Sequence, residues 1–326
     1  MPTNYFDQKT NVIKLTPNQE GIFRKKNEIQ STFKINADGW NSKYPKYELE
    51  VTSKTRIAII GDSYVEALQV DYNNSMAEQL ENMLGTQHEV YRFGISGAPL
   101  SQYLHMLQKE VLAYKPQIVV FVLVHNDFDE SWAYKRGRYT SSFLKFGIQE
   151  QTVTQELEPQ SYEQSWYSPI RMSATFRYLQ YRQGVNVSVL KKWILGNKTK
   201  YEANIDTTNL SQKMANNTAV VRYFLSQVSK LSQQHQFEPI VVIDGDRHHI
   251  YQNKSPIRKG SIFEINDIVG SLSQEKNIKF RDLHIPFEQD FKVNKKKFNS
   301  IVDSHWNEYG HTIVAKELHH LILHNP

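Results

Sequence analysis

The chain has 326 residues, with 39 Lys and Arg against 34 Asp and Glu, a net charge of +5 that is too mild to point to a nucleic-acid partner. Hydrophobic residues make up 39% and aromatic residues 12%, enough apolar mass for the core of one large domain or two small ones. With no cysteine, disulfides, thiolate catalysis, Cys-based zinc sites and iron–sulfur clusters are excluded. No run of about 18 apolar residues marks a membrane span. The first fifteen residues lack the apolar stretch of a signal peptide. That reads as a cytoplasmic protein if Met1 is the native start, and as an exported or anchored one if a leader was removed.

Residues 1–54 read as a polar lead-in, with short strands predicted around 21–24 and 32–35 and turn chemistry at Asn36-Ala37-Asp38-Gly39-Trp40-Asn41. The pattern then changes. Arg56-Ile57-Ala58-Ile59-Ile60 is a short apolar run ending at Gly61-Asp62-Ser63, as a buried parallel strand does. Helical spacing follows over 76–84, a strand over 90–93 ending at Gly94-Ile95-Ser96-Gly97, and a helix over 103–113. A third strand, 118–124, ends at His125-Asn126-Asp127. From 129 to 212 the alternation stops, and this stretch reads as an insertion or lid carrying a helical pattern near 176–193. A helix over 215–234, a strand over 239–243 and a short strand over 277–282 return to the main body. A final amphipathic helix carries Ile313, Val314, Leu318, Leu321 and Ile322. Strand–helix–strand alternation predicts a parallel α/β sheet. The domain reading is a lead-in (1–54), an α/β domain in two pieces (55–128 and 213–326) and an insertion (129–212).

In open parallel sheets, sites form at the carboxyl ends of strands. Ser63 stands at such an end. A serine hydroxyl is a poor nucleophile without an adjacent base, and Asp303-Ser304-His305 supplies one: a carboxylate two residues before an imidazole can take the Nδ1 proton and leave Nε2 free. Gly97 through its N–H and Asn126 through its amide are candidates to join the Ser63 N–H as oxyanion donors. Taken singly, Gly97 reads as a turn glycine and Asn126 as a cap. Their order along one predicted sheet edge is what gives the set its meaning.

These blocks resemble the SGNH (GDSL-like) hydrolase superfamily: Ile59-Ile60-Gly61-Asp62-Ser63, Phe93-Gly94-Ile95-Ser96-Gly97, Val124-His125-Asn126-Asp127, and Asp303-Ser304-His305-Trp306-Asn307-Glu308-Tyr309-Gly310-His311. The resemblance covers roughly 55–128 and 238–324, together with a lead-in around 36–41. It implies a flavodoxin-like three-layer α/β/α sandwich, Ser63 as nucleophile, His305 as general base, Asp303 orienting the imidazole, an oxyanion hole of Ser63, Gly97 and Asn126, and no metal or organic cofactor. Two departures stand out: Val124 occupies the place of a customary Gly, and the last block is D-x-H where D-x-x-H is commoner. Asp-x-His-Trp is also similar to the motif of alginate-type polysaccharide O-acetyltransferases, a branch of the same superfamily.

The resemblance implies an esterase working through an acyl-enzyme, removing an acyl group such as acetyl from a carbohydrate or small ester. An O-acyltransferase moving acetyl to a glycan and a non-catalytic binding protein are the alternatives. Substrate-contact candidates are His125 and Trp306, each with packing as its plainer role. Trp132, Trp166 and Trp193 read either as a sugar-binding wall or as the insertion's own core. Adjacent histidines at 248–249 and 319–320 lack carboxylates at ligand spacing, so a metal is not expected. Arg24-Lys25-Lys26 and Lys295-Lys296-Lys297 read as solvated surface.

Overall fold

The structure, a computed structural model, describes residues 2–133, 142–161, 173, 201–202, 205–206, 208–254 and 258–324. Two antiparallel hairpins come first: β1 (Asn4–Asp7) with β2 (Val12–Leu15), and β3 (Glu20–Lys25) with β4 (Ile29–Lys34). The main sheet opens with β5 (Thr55–Gly61), β6 (His88–Gly94) and β7 (Ile118–Leu123). A hairpin of β8 (Lys145–Gln149) and β9 (Thr152–Leu157) and a short ladder of β10 (Tyr201–Glu202) and β11 (Ile205–Asp206) fall within 129–212, the stretch expected as an insertion. β12 (Glu238–Ile243) and β13 (Lys279–Asp282) complete the main sheet.

The sheet runs β13-β12-β7-β5-β6, with every pair parallel. Numbered by entry into the sheet, and read from the β6 edge, that is the 2-1-3-4-5 order of a flavodoxin-like fold, whose switch point lies between β5 and β7. The three inner strands β5, β7 and β12 carry unbroken apolar runs because both faces are covered, while the edge strands β6 and β13 carry charged residues; successive residues point to opposite faces. Ala58, Ile60, Val119, Phe121, Leu123, Val241 and Ile243 share one core with Leu104, Phe224 and Val269 from helices Leu100–Lys109, Leu210–His235 and Glu264–Glu275. Ile57, Ile59, Val120, Val122, Ile240 and Val242 face the other core, with Leu80, Phe287 and Leu318 from helices Met76–Leu84, His284–Asn294 and Glu308–Leu323. The result is the parallel sheet read from the strand–helix alternation, set in the three-layer α/β/α sandwich that the resemblance implies.

Several local readings change. The helix expected over 103–113 starts at Leu100 and stops at Lys109, and Val111–Tyr114 continues as a tighter 3-10 turn. Helices Glu264–Glu275 and His284–Asn294 and strands β1, β2, β8 and β9 were not foreseen. The segment expected as a polar lead-in contributes Val12, Ile13, Leu15, Phe33, Ile35, Trp40 and Tyr47 to the first core. Its predicted turn forms around Asn36, whose Oδ1 accepts from the N–H groups of Asp38 (3.1 Å) and Trp40 (2.9 Å). Gly39 closes the turn at φ +88°, where a Cβ would sit 2.7 Å from the Leu15 carbonyl oxygen, so only glycine fits. In the insertion, the helix expected near 176–193 and the residues Trp166 and Trp193 lie outside the described residues. Trp132 packs against the first core and donates Nε1–H to Asn217 Oδ1 at 2.9 Å.

Candidate active site

Gly61 on β5 lies directly opposite Gly94 on β6 and Val122 on β7, so these three form one row across the sheet. Ser63, Gly97 and Asn126 follow that row in the three connections, on the carboxyl edge at the switch point. The chain after β5 turns at once into the single helical turn Ser63–Glu66, capped by Asp62, whose Oδ1 accepts the Tyr64 N–H at 2.9 Å. Glycine at 94 is what lets this turn sit on β6. A Cβ there would lie 2.1 Å from the Glu66 backbone nitrogen and 2.5 Å from the Val65 carbonyl carbon.

Ser63 Oγ lies 2.7 Å from His305 Nε2. His305 Nδ1 contacts Asp303 Oδ1, and that same oxygen accepts the His305 backbone N–H at 2.9 Å. The Asp303 side chain is 3% exposed and the imidazole 24%, so the carboxylate is sealed in while the ring reaches solvent. Burial works to raise the Asp303 carboxyl. The hydrogen bond and charge of His305, with a hydrogen bond from Lys25, overcome burial and hold it well below the usual carboxylate range.

Two buried acids flank Ser63. Asp62 Oδ2 lies 3.1 Å from Ser63 Oγ and so competes with His305 for the one hydroxyl hydrogen. Burial raises Asp62 to about 6 against its hydrogen bond from Tyr64, which lessens that competition wherever the acid is protonated. Glu66 accepts the Ser96 hydroxyl and so ties the connection that carries Gly97 to the nucleophile turn. Burial raises Glu66 to about 7. Gly97 adopts φ +77° with open space where a side chain would stand. Asn126 is half-buried, and Asp127 behind it accepts both the Val124 N–H (2.9 Å) and the Tyr103 hydroxyl (2.8 Å), which shapes the turn after β7.

The two candidate substrate contacts are corrected. His125 is buried, its Nε2 lies 2.9 Å from Asn266 Oδ1 and its ring meets Phe263 edge-on at 4.6 Å, so it packs under the site with its polar atom engaged. Trp306 is fully buried, meets Tyr64 edge-on at 4.7 Å and donates Nε1–H to Asp244 Oδ1 at 3.1 Å. It supports the loop carrying His305 and offers no face for a ligand to stack on. His311, the last residue of the final block, is buried in helix packing, where its Nδ1 accepts the Met76 N–H at 3.3 Å.

Sequence reasoning missed a second set of residues that holds the 303–306 loop. Asp244, at the tip of β12, accepts the Trp306 indole and pairs with Arg247 at 2.8 Å. Arg247 in turn donates to the Ser304 carbonyl (2.5 Å) and to the Tyr64 hydroxyl (2.6 Å). The strand-tip position of Asp244 was a usable signal; nothing marked Arg247. Lys25 was missed as well. It was read as solvated surface, yet its Nζ lies 2.6 Å from Asp303 Oδ2. Lys295, Lys296 and Lys297 are exposed as expected, over the rings of Phe291, Tyr309 and Tyr251. Among the described residues, no group of three or more His, Asp or Glu side chains is arranged to hold a metal ion. No described helix is long and apolar enough to cross a membrane.

No family model matches the chain, and no curated protein sequence matches it. Solved structures similar to it include TesA, at 13% identity and a TM-score of 0.42, covering 82% of this chain and 99% of the other. A catalytic variant of Axe2, an acetylxylan esterase from Geobacillus stearothermophilus, aligns at 12% identity and a TM-score of 0.44, covering 82% and 94%. The acetyl xylan esterase AlAXEase aligns at 14% identity and a TM-score of 0.40, covering 81% and 97%. Likeness at this level carries no weight for the chemistry, for which the side chains themselves are the ground.

Proposed function

We propose that the protein is a serine esterase of SGNH type that works through an acyl-enzyme. The observation that carries this reading is the contact of Ser63 Oγ with His305 Nε2 at 2.7 Å, with His305 Nδ1 held by a buried carboxylate. A nucleophile, a base within hydrogen-bond reach and a group orienting the base are the requirements for activating a serine hydroxyl.

In the first half-reaction, Ser63 Oγ attacks the ester carbonyl carbon while His305 Nε2 takes the hydroxyl proton. Asp303 stabilises the imidazolium that forms. The carbonyl oxygen becomes an oxyanion, to which the backbone N–H groups of Ser63 and Gly97 and the amide of Asn126 donate. The intermediate collapses, and His305 returns the proton to the leaving alkoxide. Water, deprotonated by His305, then attacks the acyl-enzyme and regenerates Ser63. The substrate class is an acyl ester, with acetyl on a carbohydrate or small alcohol as the preferred case.

Mixing with an aryl acetate is expected to give a burst of phenol and a mass gain on Ser63, both lost in Ser63→Ala. Unchanged turnover in that variant would reject the assignment. The Asp303-Ser304-His305-Trp306 motif supports a second reading, transfer of the same acyl group to a glycan hydroxyl. Acylated glycan with little free acetate, seen only when acceptor is present, distinguishes transfer from hydrolysis. A folded protein whose Ser63 does not react with a fluorophosphonate would instead be a binding protein.

A further inference from the structure

The two oxygens of Asp303 serve different partners. Oδ1 takes the imidazole Nδ1 and the backbone N–H of His305, while Oδ2 accepts the Lys25 ammonium at 2.6 Å. Lys25 is the last residue of β3, 278 positions earlier in the chain, in a hairpin that is no part of the five-stranded sheet. Its side chain is 41% exposed and the carboxylate only 3%, so the ammonium closes the solvent side of an otherwise buried acid.

We propose that Lys25 is a positioning residue of the reaction: it fixes the Asp303 carboxylate and offsets part of its negative charge, so that His305 sheds its proton, and becomes a competent base, at lower pH. This deepens the esterase reading and rests on it for the kinetic part of the test. A carboxylate already paired with one cation stabilises a second one less. The fixed oxygen also keeps Oδ1 aimed at the ring. Lys25 thus trades some stabilisation of the imidazolium for a base that is free over a wider pH range.

Other charged and titratable groups also face the imidazole. Asp62 and Glu66 from the nucleophile turn and His311 from the last helix all interact with it electrostatically. The Tyr64 ring lies 4.8 Å from it, and Arg247 binds the carbonyl of Ser304. All of these are retained when Lys25 alone is changed, so a difference between wild type and variant isolates the lysine.

The test compares Lys25→Met and Lys25→Arg with wild type in two ways. The first is the pH profile of kcat/KM on an aryl acetate. The second is the His305 imidazole titration followed by NMR in 15N-His-labelled full-length protein, with the signal assigned by its loss in His305→Asn. A unit charge roughly 6 Å from the ring, at an effective dielectric of about 40–80, corresponds to about half a unit to one unit of pH. Lys25→Met is expected to move both midpoints up by that amount with KM unchanged, and Lys25→Arg to restore them. Coincident midpoints in Lys25→Met and wild type, or a downward shift, overturn the proposal. Should the Met variant not fold, Lys25→Gln removes the same charge and carries the same expectations. If wild type neither turns over ester nor reacts with a fluorophosphonate, the esterase reading fails, and the NMR midpoint still decides for or against Lys25.

Discussion

Replacing Glu66 by Gln tests whether the nucleophile turn carries a buried acid at the cost the fold implies. Glu66 is 3% exposed, accepts the Ser96 hydroxyl and has no cation bonded to it among the described residues. Burial raises its carboxyl from 4.5 to about 7, against the opposing hydrogen bonds from Ser96. Between those two values the folded chain holds a proton that the unfolded chain has released. Stability therefore falls as pH rises from 4.5 through 7. A displacement of 7 − 4.5 = 2.5 units corresponds to about 3 kcal/mol, fully lost above pH 7. Glu66→Gln keeps an acceptor for Ser96 and has nothing to ionise. Its stability relative to wild type should climb by about 3 kcal/mol between pH 4 and pH 8. Urea unfolding at four or five pH values across that range, read by circular dichroism and extrapolated linearly, gives the difference directly. Asp62, raised to about 6 by burial, is present in both proteins, and its charge contributes to the raising of Glu66. A difference that does not change with pH, or one that moves against the variant as pH rises, would refute this account of Glu66.

Asn126→Ala should lower kcat on an aryl acetate by about 10²–10³-fold while Ser63 remains reactive towards a fluorophosphonate, because one oxyanion donor is lost and the nucleophile–base pair is kept; an unchanged kcat would remove Asn126 from the oxyanion hole. Gly94→Ala places a Cβ against the backbone of Val65 and Glu66, which cannot swing aside, so a loss of about 1–3 kcal/mol or more is expected together with reduced Ser63 labelling. A wild-type melting temperature in that variant would contradict the close approach. Arg247→Met strips the partner from buried Asp244 and frees the Ser304 carbonyl; it should cost about 3 kcal/mol in urea unfolding and depress turnover at every pH.

The inner strands of the sheet were legible because their burial on both faces demands unbroken apolar runs, as in Ile118–Leu123. The proposed nucleophile, base and orienting acid were legible because each sits in a short motif at a strand tip or beside another member. Of the two N-terminal hairpins, β3 and β4 were legible as short strands, while β1 and β2 were hidden by their charge. Lys14 interrupts the apolar run of β2, yet it is buried because Asp7 and Glu110 pair with it at 3.0 and 2.7 Å, and no local rule announces a partner as distant in sequence as Glu110. Lys25 was hidden for the same reason: one basic residue among three looks like a solvated face until the acid it meets is known. His125 and Trp306 were candidate substrate contacts because their chemistry suits a ligand, with packing as the plainer role; packing is what the structure shows, with Asn266 and Asp244 engaging their polar atoms inside the protein. Helix Glu264–Glu275 does carry a usable signal, since Ile265, Val269 and Leu272 recur at helical spacing.

Ser63 and His305 stand 242 residues apart. At ribosomal speeds of about 5–20 residues per second, the hydroxyl emerges roughly 10–50 seconds before the imidazole that would arm it. During that interval the serine is chemically no more reactive than any other alcohol on a nascent chain. Synthesis thus imposes its own delay, since the pair can form only after the intervening residues have been translated and the two distant stretches have closed on each other.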